Sequence, residues 1–485
     1  MQKLWTTIGG VGVAAALMAT ATLTNTSAFA QQRTDVGTTA SPLTQSPTPA
    51  LPLPNAGTGQ GYFFNLRPVG EKIGKSLADY GIYVTGRTFN EEFSNVSGGL
   101  KRGSLYEGFT TLGFDLDMNR IAGIQGGSVH FLANDLNGLP FLPYSGSNYA
   151  NNKVFSGPAA SRLNELSYEQ SFFDHRFDVR VGRVPTGTEF DTTDLYCEFV
   201  FSLCAAPSAF NGVRGYPSYL TSSWGLVTQT QLPKNFFFNI AAYEDEPSLA
   251  TTGHYNWPGP DWGFDRARGV TIPAQFGYRT SYKNDPYPTT IDIGALYDTG
   301  DYSDPLQNSS NRNRGLFGGT AKVDHGKSEM WMQAQKVVYR PDMTSERGIT
   351  LFVDANLITT GNPIIDDAFY GGFVWRGPFA ERPNDKFNVS VGYILLNSDY
   401  TNFVNSALQK RGFGATSHGA ETTVEVNYGL ALAPGVTFKP FLDYIVNPDQ
   451  VNVAVPSPNN THVLFVGAAI SVFFPETLGL PKLGF

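Results

Sequence analysis

The sequence predicts an all-β fold: a transmembrane antiparallel β-barrel of 16 strands, preceded by a short amphipathic helix. Composition gives the first reason. Of 485 residues only 16% are charged, 13% are aromatic, and glycine alone accounts for 52. An ordinary soluble domain carries about 25% charged residues. The second reason is a period of two that recurs from residue 82 to residue 474, which a strand with one apolar face requires. The third is an asymmetry of connections, with short polar turns alternating with long Gly- and Asn-rich loops. That is the pattern of a barrel with short turns at one end and long loops at the other.

The same numbers exclude other classes. A net charge of -8 argues against a nucleic-acid partner. A mean hydropathy of -0.19, with no apolar run of about 20 residues beyond residue 30, argues against a bundle of membrane helices.

At the N-terminus, Lys3 precedes an apolar, small-residue stretch from Ile8 to about Leu23, and Ala28-Phe29-Ala30 supplies a signal-peptidase site. Residues 1–30 therefore read as a signal peptide, with Gln31 as the mature start. Residues 31–60, rich in Thr, Ser, Pro and Gly, read as a flexible linker. Within 61–80, Leu66, Val69, Ile73, Leu77 and Tyr80 form one helical stripe that stops at Gly81.

Residues 81–474 are then the barrel. Ile82, Val84 and Thr88 alternate with Tyr83, Thr85 and Arg87. Val424, Val426 and Tyr428 oppose Thr423, Glu425 and Asn427. Several such runs are 10 to 14 residues long, enough to cross a bilayer at a tilt of roughly 45°. Phe173-Asp174-His175 and Ala433-Pro434-Gly435 read as short turns, and 184–221 and 244–273 as long loops. Counting pairs gives 16 strands when 299–326 is taken mostly as loop. GLFGGTAKV (315–323) would be a seventeenth, which an even-numbered bacterial barrel disfavours. Aromatic clusters at strand ends, among them Phe236-Phe237-Phe238 and Phe369-Tyr370, suit the headgroup level. Residues 475–485 read as a C-terminal extension, which leaves either Phe474 or Phe485 as an insertion signal.

Chemistry motifs are few. Gly70-Glu-Lys-Ile-Gly74-Lys75-Ser76 has three residues between its glycines where a phosphate-binding loop needs four. The six histidines show no metal-ligand spacing, and there is no nucleophile elbow. No metal or cofactor and no catalysis are therefore expected, although a carboxylate pair such as Asp366-Asp367 leaves glycan hydrolysis as a remote alternative. Cys197 and Cys204, with six residues between them in an exported chain, favour a disulfide over free thiols or half of a zinc site.

Charges on the polar phase carry more information. Arg87, Glu107, Glu165, Arg180 and Glu425 share it, and Arg183 ends the Arg180 strand. In a barrel such residues face the lumen, because charge on the lipid face costs roughly 2–4 kcal/mol near the midplane. A lumen with both signs offers donors and acceptors to a neutral polar solute, while favouring neither anions nor cations.

The stretch VGRVPTGTEFDTTDLYCEFVFSLCAAPSAFNGVRGYPSYLTSSWGLVTQTQLPKNFFFNIAAYEDEP (181–247) resembles the carbohydrate-selective porin family of bacterial outer membranes, the OprB type. LADYGI (77–82), RGITLFVDAN (347–356) and KPFLDYIVNPD (439–449) resemble it too, and the likeness runs from about 65 to 474. The resemblance implies a 16-stranded monomer in the outer membrane, placed there by the barrel-insertion machinery among outer-membrane lipids. It implies passive diffusion of sugars such as glucose into the periplasm. It also implies a narrow point lined by Arg and Glu, for which Arg87, Arg180, Arg183 and Glu165 are the best-fitting positions. A general small-solute porin, or an outer-membrane or secreted β enzyme acting on glycans, are the alternatives.

Overall fold

The computed structural model describes residues 61–483 apart from 65, 67, 150–159, 186, 202, 205–220, 247–261, 415–417, 452, 454–455 and 458. The signal peptide, the linker and Phe485 lie outside the described residues.

Sixteen antiparallel strands form one closed barrel. The first six are β1 (Ile82–Gly98), β2 (Gly103–Asp117), β3 (Gly127–Gly138), β4 (Ala160–Phe172), β5 (Phe177–Pro185) and β6 (Ser222–Gln231). Next come β7 (Phe236–Asp245), β8 (Gly269–Arg279), β9 (Thr289–Asn308), β10 (Ala321–Tyr339) and β11 (Gly348–Thr360). The last five are β12 (Ile365–Arg376), β13 (Lys386–Leu396), β14 (Ala420–Ala433), β15 (Val436–Val446) and β16 (His462–Phe473). Each strand pairs with its neighbour in sequence, and β1 pairs with β16 from Arg87↔Phe473 to Gly98↔Val463 to close the wall.

Alternation decides which side chain faces where. On β14 every odd residue from Glu421 to Ala433 is buried in the interior, and the even ones lie outward. Aromatic triplets are split by the same rule: Phe236 and Phe238 are exposed outside, whereas Phe237 is buried inside. Short turns lie at the end where β1 begins and β16 finishes. Phe173, Asp174 and His175 all take positive φ in the turn from β4 to β5, and Gly435 (φ +72°) makes the turn into β15. A Cβ at Gly435 would come within 2.8 Å of the Phe473 carbonyl, so the tight turn depends on glycine there. The short-turn end is periplasmic and the long-loop end extracellular.

The region 299–326 is less of a loop than the sequence predicts. Strand β9 continues to Asn308 and β10 begins at Ala321, so the connection is 309–320 and no seventeenth strand exists among the described residues. Register shifts between Ala321 and Val323 and between His325 and Lys327 break the period of two, which hides these strands from a pattern search.

The N-terminal helix, α1, runs Glu71–Asp79. Its predicted apolar stripe does not pack on the wall: Val69 is 80% and Ile73 65% exposed. The glycine face does the packing instead. The Gly70 N–H donates to the Leu478 carbonyl at 2.8 Å, and a Cβ at Gly74 would meet Pro481 at 2.6 Å. The near-match to a phosphate loop is thus explained by close approach of the C-terminal segment.

Candidate functional site in the lumen

The lumen is shaped by the segment that follows β5. Phe190, Tyr196, Phe199 and Phe201 have no period that would make a strand or helix, and they are buried inside the barrel. Phe201 lies among Phe93, Phe141, Phe441 and Phe465, with ring centroids 5.4–6.1 Å away. Tyr196 and Phe199 flank Phe352 of β11 at 5.7 and 5.5 Å. Phe190 meets Tyr243 of β7 edge-on at 6.5 Å. Each fully buried aromatic side chain contributes roughly 1.5–3 kcal/mol to holding the segment inward.

Polar contacts fix its register. Glu425 of β14 accepts the backbone N–H groups of Val200 at 3.0 Å and Phe201 at 2.9 Å. The Tyr196 hydroxyl donates to Asp354 at 2.6 Å, and the Asn356 amide donates to Asp191 at 2.9 Å. Lys439 Nζ donates to the Glu198 carbonyl at 2.8 Å, and Lys386 forms an ion pair with the Glu198 carboxylate. Cys197 and Cys204 are disulfide-bonded, with an S–S distance of 2.06 Å, and the bridge encloses Glu198 to Phe201.

Two loop carboxyls titrate in opposite directions. Burial works against ionisation of Glu198, but Lys386 and Lys439 outweigh it and hold the carboxyl down at about 2. Asp194 is pushed up to about 7 by burial, with Arg279, Arg376 and Lys386 too weak to compensate.

The six sequence-predicted charges fall into distinct settings. Arg180 and Glu165 face inward on neighbouring strands and form an ion pair at 3.0 Å. The loop residue Glu189 closes on the same guanidinium and also accepts the Tyr243 hydroxyl at 3.2 Å. Arg87 faces inward, its guanidinium 5.1 Å from the Phe109 ring and 5.7 Å from that of Phe473. Glu107 faces inward and is fully buried, directly across from Glu91 of β1. Glu425 holds the loop, as described above.

Arg183 is placed differently from the expected lumen position. It lies three residues beyond Arg180 in an unbroken ladder, opposite Leu166 and Trp224, so it is on the outward face. There it is buried, 3.4 Å from Glu244, and donates to the Ser222 carbonyl at 2.5 Å. Arg183 and Arg180 differ by an odd number of residues, and alternation then sends them to opposite sides.

Pattern reading passed over Lys386, Lys439, Arg279, Asp194, Glu189 and Glu198. Lys439 was readable, since it shares the phase of Phe441 and Asp443 in KPFLDY. The three loop acids carry no signal, because nothing local marks a segment that turns inward.

Around the inserted segment, Arg279 and Lys386 remain partly exposed on the wall and act on Asp194 of the loop, and Lys386 is also paired with Glu198. Across the lumen, Asp115 is bonded to His130 at 2.8 Å, and Asp178 accepts from Ser171 at 2.5 Å. The lining therefore carries both signs, some paired as Arg180 is with Glu165, while the inward carboxyls of Glu91, Glu107 and Asp443 form no ion pair among the described residues. Among the described residues no group of His, Cys, Asp and Glu is placed to hold a metal ion.

The model of the carbohydrate-selective porin family, OprB, matches residues 101–470. Porin B of Pseudomonas aeruginosa is 23% identical over 407 residues, covering 81% of this chain and 84% of that protein. The putative porin QuiX of Acinetobacter baylyi is 21% identical over 396 residues, covering 78% and 87%. Among solved structures, Pseudomonas putida OprB at high pH superposes with a TM-score of 0.72 at 22% identity, covering 82% of this chain and 96% of that one.

Proposed function

The chain belongs to the carbohydrate-selective porin family of the bacterial outer membrane, and on that premise we propose that sugars pass between its inserted loop and the charged wall by exchanging water for paired charges. The observation that carries this reading is the lining itself. Arg279 and Lys386 provide donors, and Asp194 and Glu198 provide acceptors, where the loop meets the wall. A hydroxylated neutral solute needs both, and trades its hydration for them at little net cost. An ion gains from one sign what it loses to the other. Aromatic bulk at the loop anchors, where Phe201 and Phe199 are buried, narrows the passage.

Fold and family are those of a channel rather than an enzyme. Selectivity then comes from diameter, lining hydrogen bonds and charge. Swelling of liposomes containing the purified protein tests the reading, with glucose, an amino acid of similar size and a disaccharide as solutes. Glucose should enter faster than the amino acid, and added glucose should block ion current through single channels. Equal entry of glucose and the amino acid, with no block, would mark a general small-solute pore instead.

A further inference from the structure

The periplasmic rim carries a row of apolar side chains that the protein itself leaves uncovered. Phe63, Phe64, Leu66, Val69, Ile73 and Tyr80 are each between 46% and 80% exposed. Contacts with the barrel fix where they lie. A Cβ at Gly61 would meet Pro383, in the turn from β12 to β13, at 2.8 Å. The Phe64 N–H donates to the Leu432 carbonyl of β14 at 2.8 Å, and Gly70 is bonded to Leu478 just past β16. At the far end the Arg120 guanidinium, in the turn from β2 to β3, donates to the Ala78 carbonyl at 3.0 Å. The row therefore follows the rim from the β12–β13 turn, across the seam between β16 and β1, to the β2–β3 turn.

Helical spacing divides α1 into three faces. Gly70 and Gly74 rest on the C-terminal segment. Ile73 lies one residue from Gly74, about 100° round the axis, and Tyr80, seven residues on, is in line with it. Lys72, Lys75 and Asp79 occupy the third face and are exposed. Glu71 and Asp79 balance Lys72 and Lys75, so the helix has no net charge.

The open apolar face is too large for a surface meant for water. The rings of Phe63, Phe64 and Tyr80 alone expose on the order of 350 Å², a size at which an apolar patch marks a contact. What borders it is the lipid-facing wall. Ile82 and Val84 follow on β1, in the phase opposite to the inward Arg87, and pair with Leu116 and Phe114 of β2. Ile121 and Ile124 are exposed in the β2–β3 turn, and a Cβ at Gly81 would lie 3.1 Å from Ile121. The row thus continues the outer apolar surface of the barrel at the height where amphipathic rings meet headgroups.

We propose that α1 and the Phe63–Phe64 pair form a collar lying in the headgroup region of the periplasmic leaflet, with Val69, Ile73 and Tyr80 against the acyl chains of its phospholipids and Lys72 and Lys75 in water. Because the charges on the helix cancel, apolar burial drives the contact and a zwitterionic lipid suffices. The collar spans the seam, so the leaflet braces the junction of the first and last strands.

Fluorescence of the full protein in phosphatidylcholine vesicles tests this. Both native cysteines are disulfide-bonded, so Ile73→Cys and, on the charged face, Lys75→Cys each take a single thiol-reactive NBD label. Nitroxide-labelled lipid should quench the label at position 73 several-fold more than the label at position 75, and aqueous iodide should quench it several-fold less. A label at position 73 that is open to iodide and untouched by lipid nitroxide overturns the proposal. So does one shielded from both, the sign of a second copy or another protein surface on the stripe, and so do two labels that behave alike. If Ile73→Cys fails to insert, Val69→Cys replaces it with the same expected contrast.

Discussion

Arg180 and Arg183 stand on one strand, three residues apart, and each is buried against a glutamate. Arg180 points into the lumen, where Glu165 of the wall and Glu189 of the loop share its guanidinium. Arg183 points outward at the extracellular rim, where Glu244 and the Ser222 carbonyl take its charge. One pair couples the wall to the inserted segment and so bears on what passes. The other ties three wall strands together and touches no part of the passage. Two ion pairs of the same chemistry thus serve conduction and construction, and only their parity along β5 separates them.

Removing Arg180 should give the largest effect. Arg180→Ala leaves Glu165 and Glu189 buried without their shared cation, and breaking such a pair typically costs about 3–5 kcal/mol. The loop should detach at that point, with higher single-channel conductance and a reversal potential shifted toward cations in a salt gradient. Unchanged conductance and selectivity would mean that Glu189 does not hold the loop.

Next in size is the disulfide. Cys197→Ser should leave the barrel assembled, since no strand depends on the bridge, but should free the short segment whose N–H groups bind Glu425. Noisier current and weaker block by glucose are expected, and identical traces for the two proteins would count against it.

A smaller effect separates two acids within the loop. Of these two, only Asp194, raised to about 7, loses its charge between pH 8 and pH 6, while Glu198, held at about 2, keeps its own. Selectivity should shift toward anions over that interval, and Asp194→Asn should diminish the shift. The linkage signs are opposite. Because the Asp194 carboxyl binds its proton more tightly in the docked loop, docking strengthens as pH falls through about 7. Glu198 contributes fully above its ordinary range near 4.5, and that contribution is lost as pH falls toward about 2.

Arg183→Ala should do least to transport. Conductance, reversal potential and sugar block should all match wild type, while the temperature at which the barrel loses its compact gel migration falls. A change in selectivity would show that the outward placement of Arg183 is wrong.

Much of this organisation was legible in the sequence, and the reason is alternation. The phase of β14 assigned Glu425 inward, and that of β5 put Arg180 on the same inner face as Glu165 of the preceding strand, with which it pairs. Where alternation stops, legibility stops with it. Arg183 sits at a strand end, where charge alone suggested the lumen and an odd step along the chain says otherwise. Bulges on β10 concealed the extension of β9 and β10 beyond their neighbours. The inserted segment was legible as a long loop with two cysteines, of the kind that can fold inward and narrow a barrel, but its anchors were not. Its aromatic anchors have no spacing that marks them as inward, because they dock on separate parts of the wall: Phe190 on β7, Tyr196 and Phe199 on β11, and Phe201 among β1, β15 and β16.

The contact between α1 and the C-terminal segment has a bearing on how the wall comes to be closed. Gly70 and Gly74 lie against Leu478 and Pro481, about four hundred residues away along the chain. Bringing such distant segments together costs chain entropy that only other contacts can offset. The first and last strands are therefore joined twice, by their hydrogen-bond ladder and by a clasp just outside it. Opening the barrel at its seam means undoing both at once, so the place where a cylinder is assembled last need not be the place where it comes apart first.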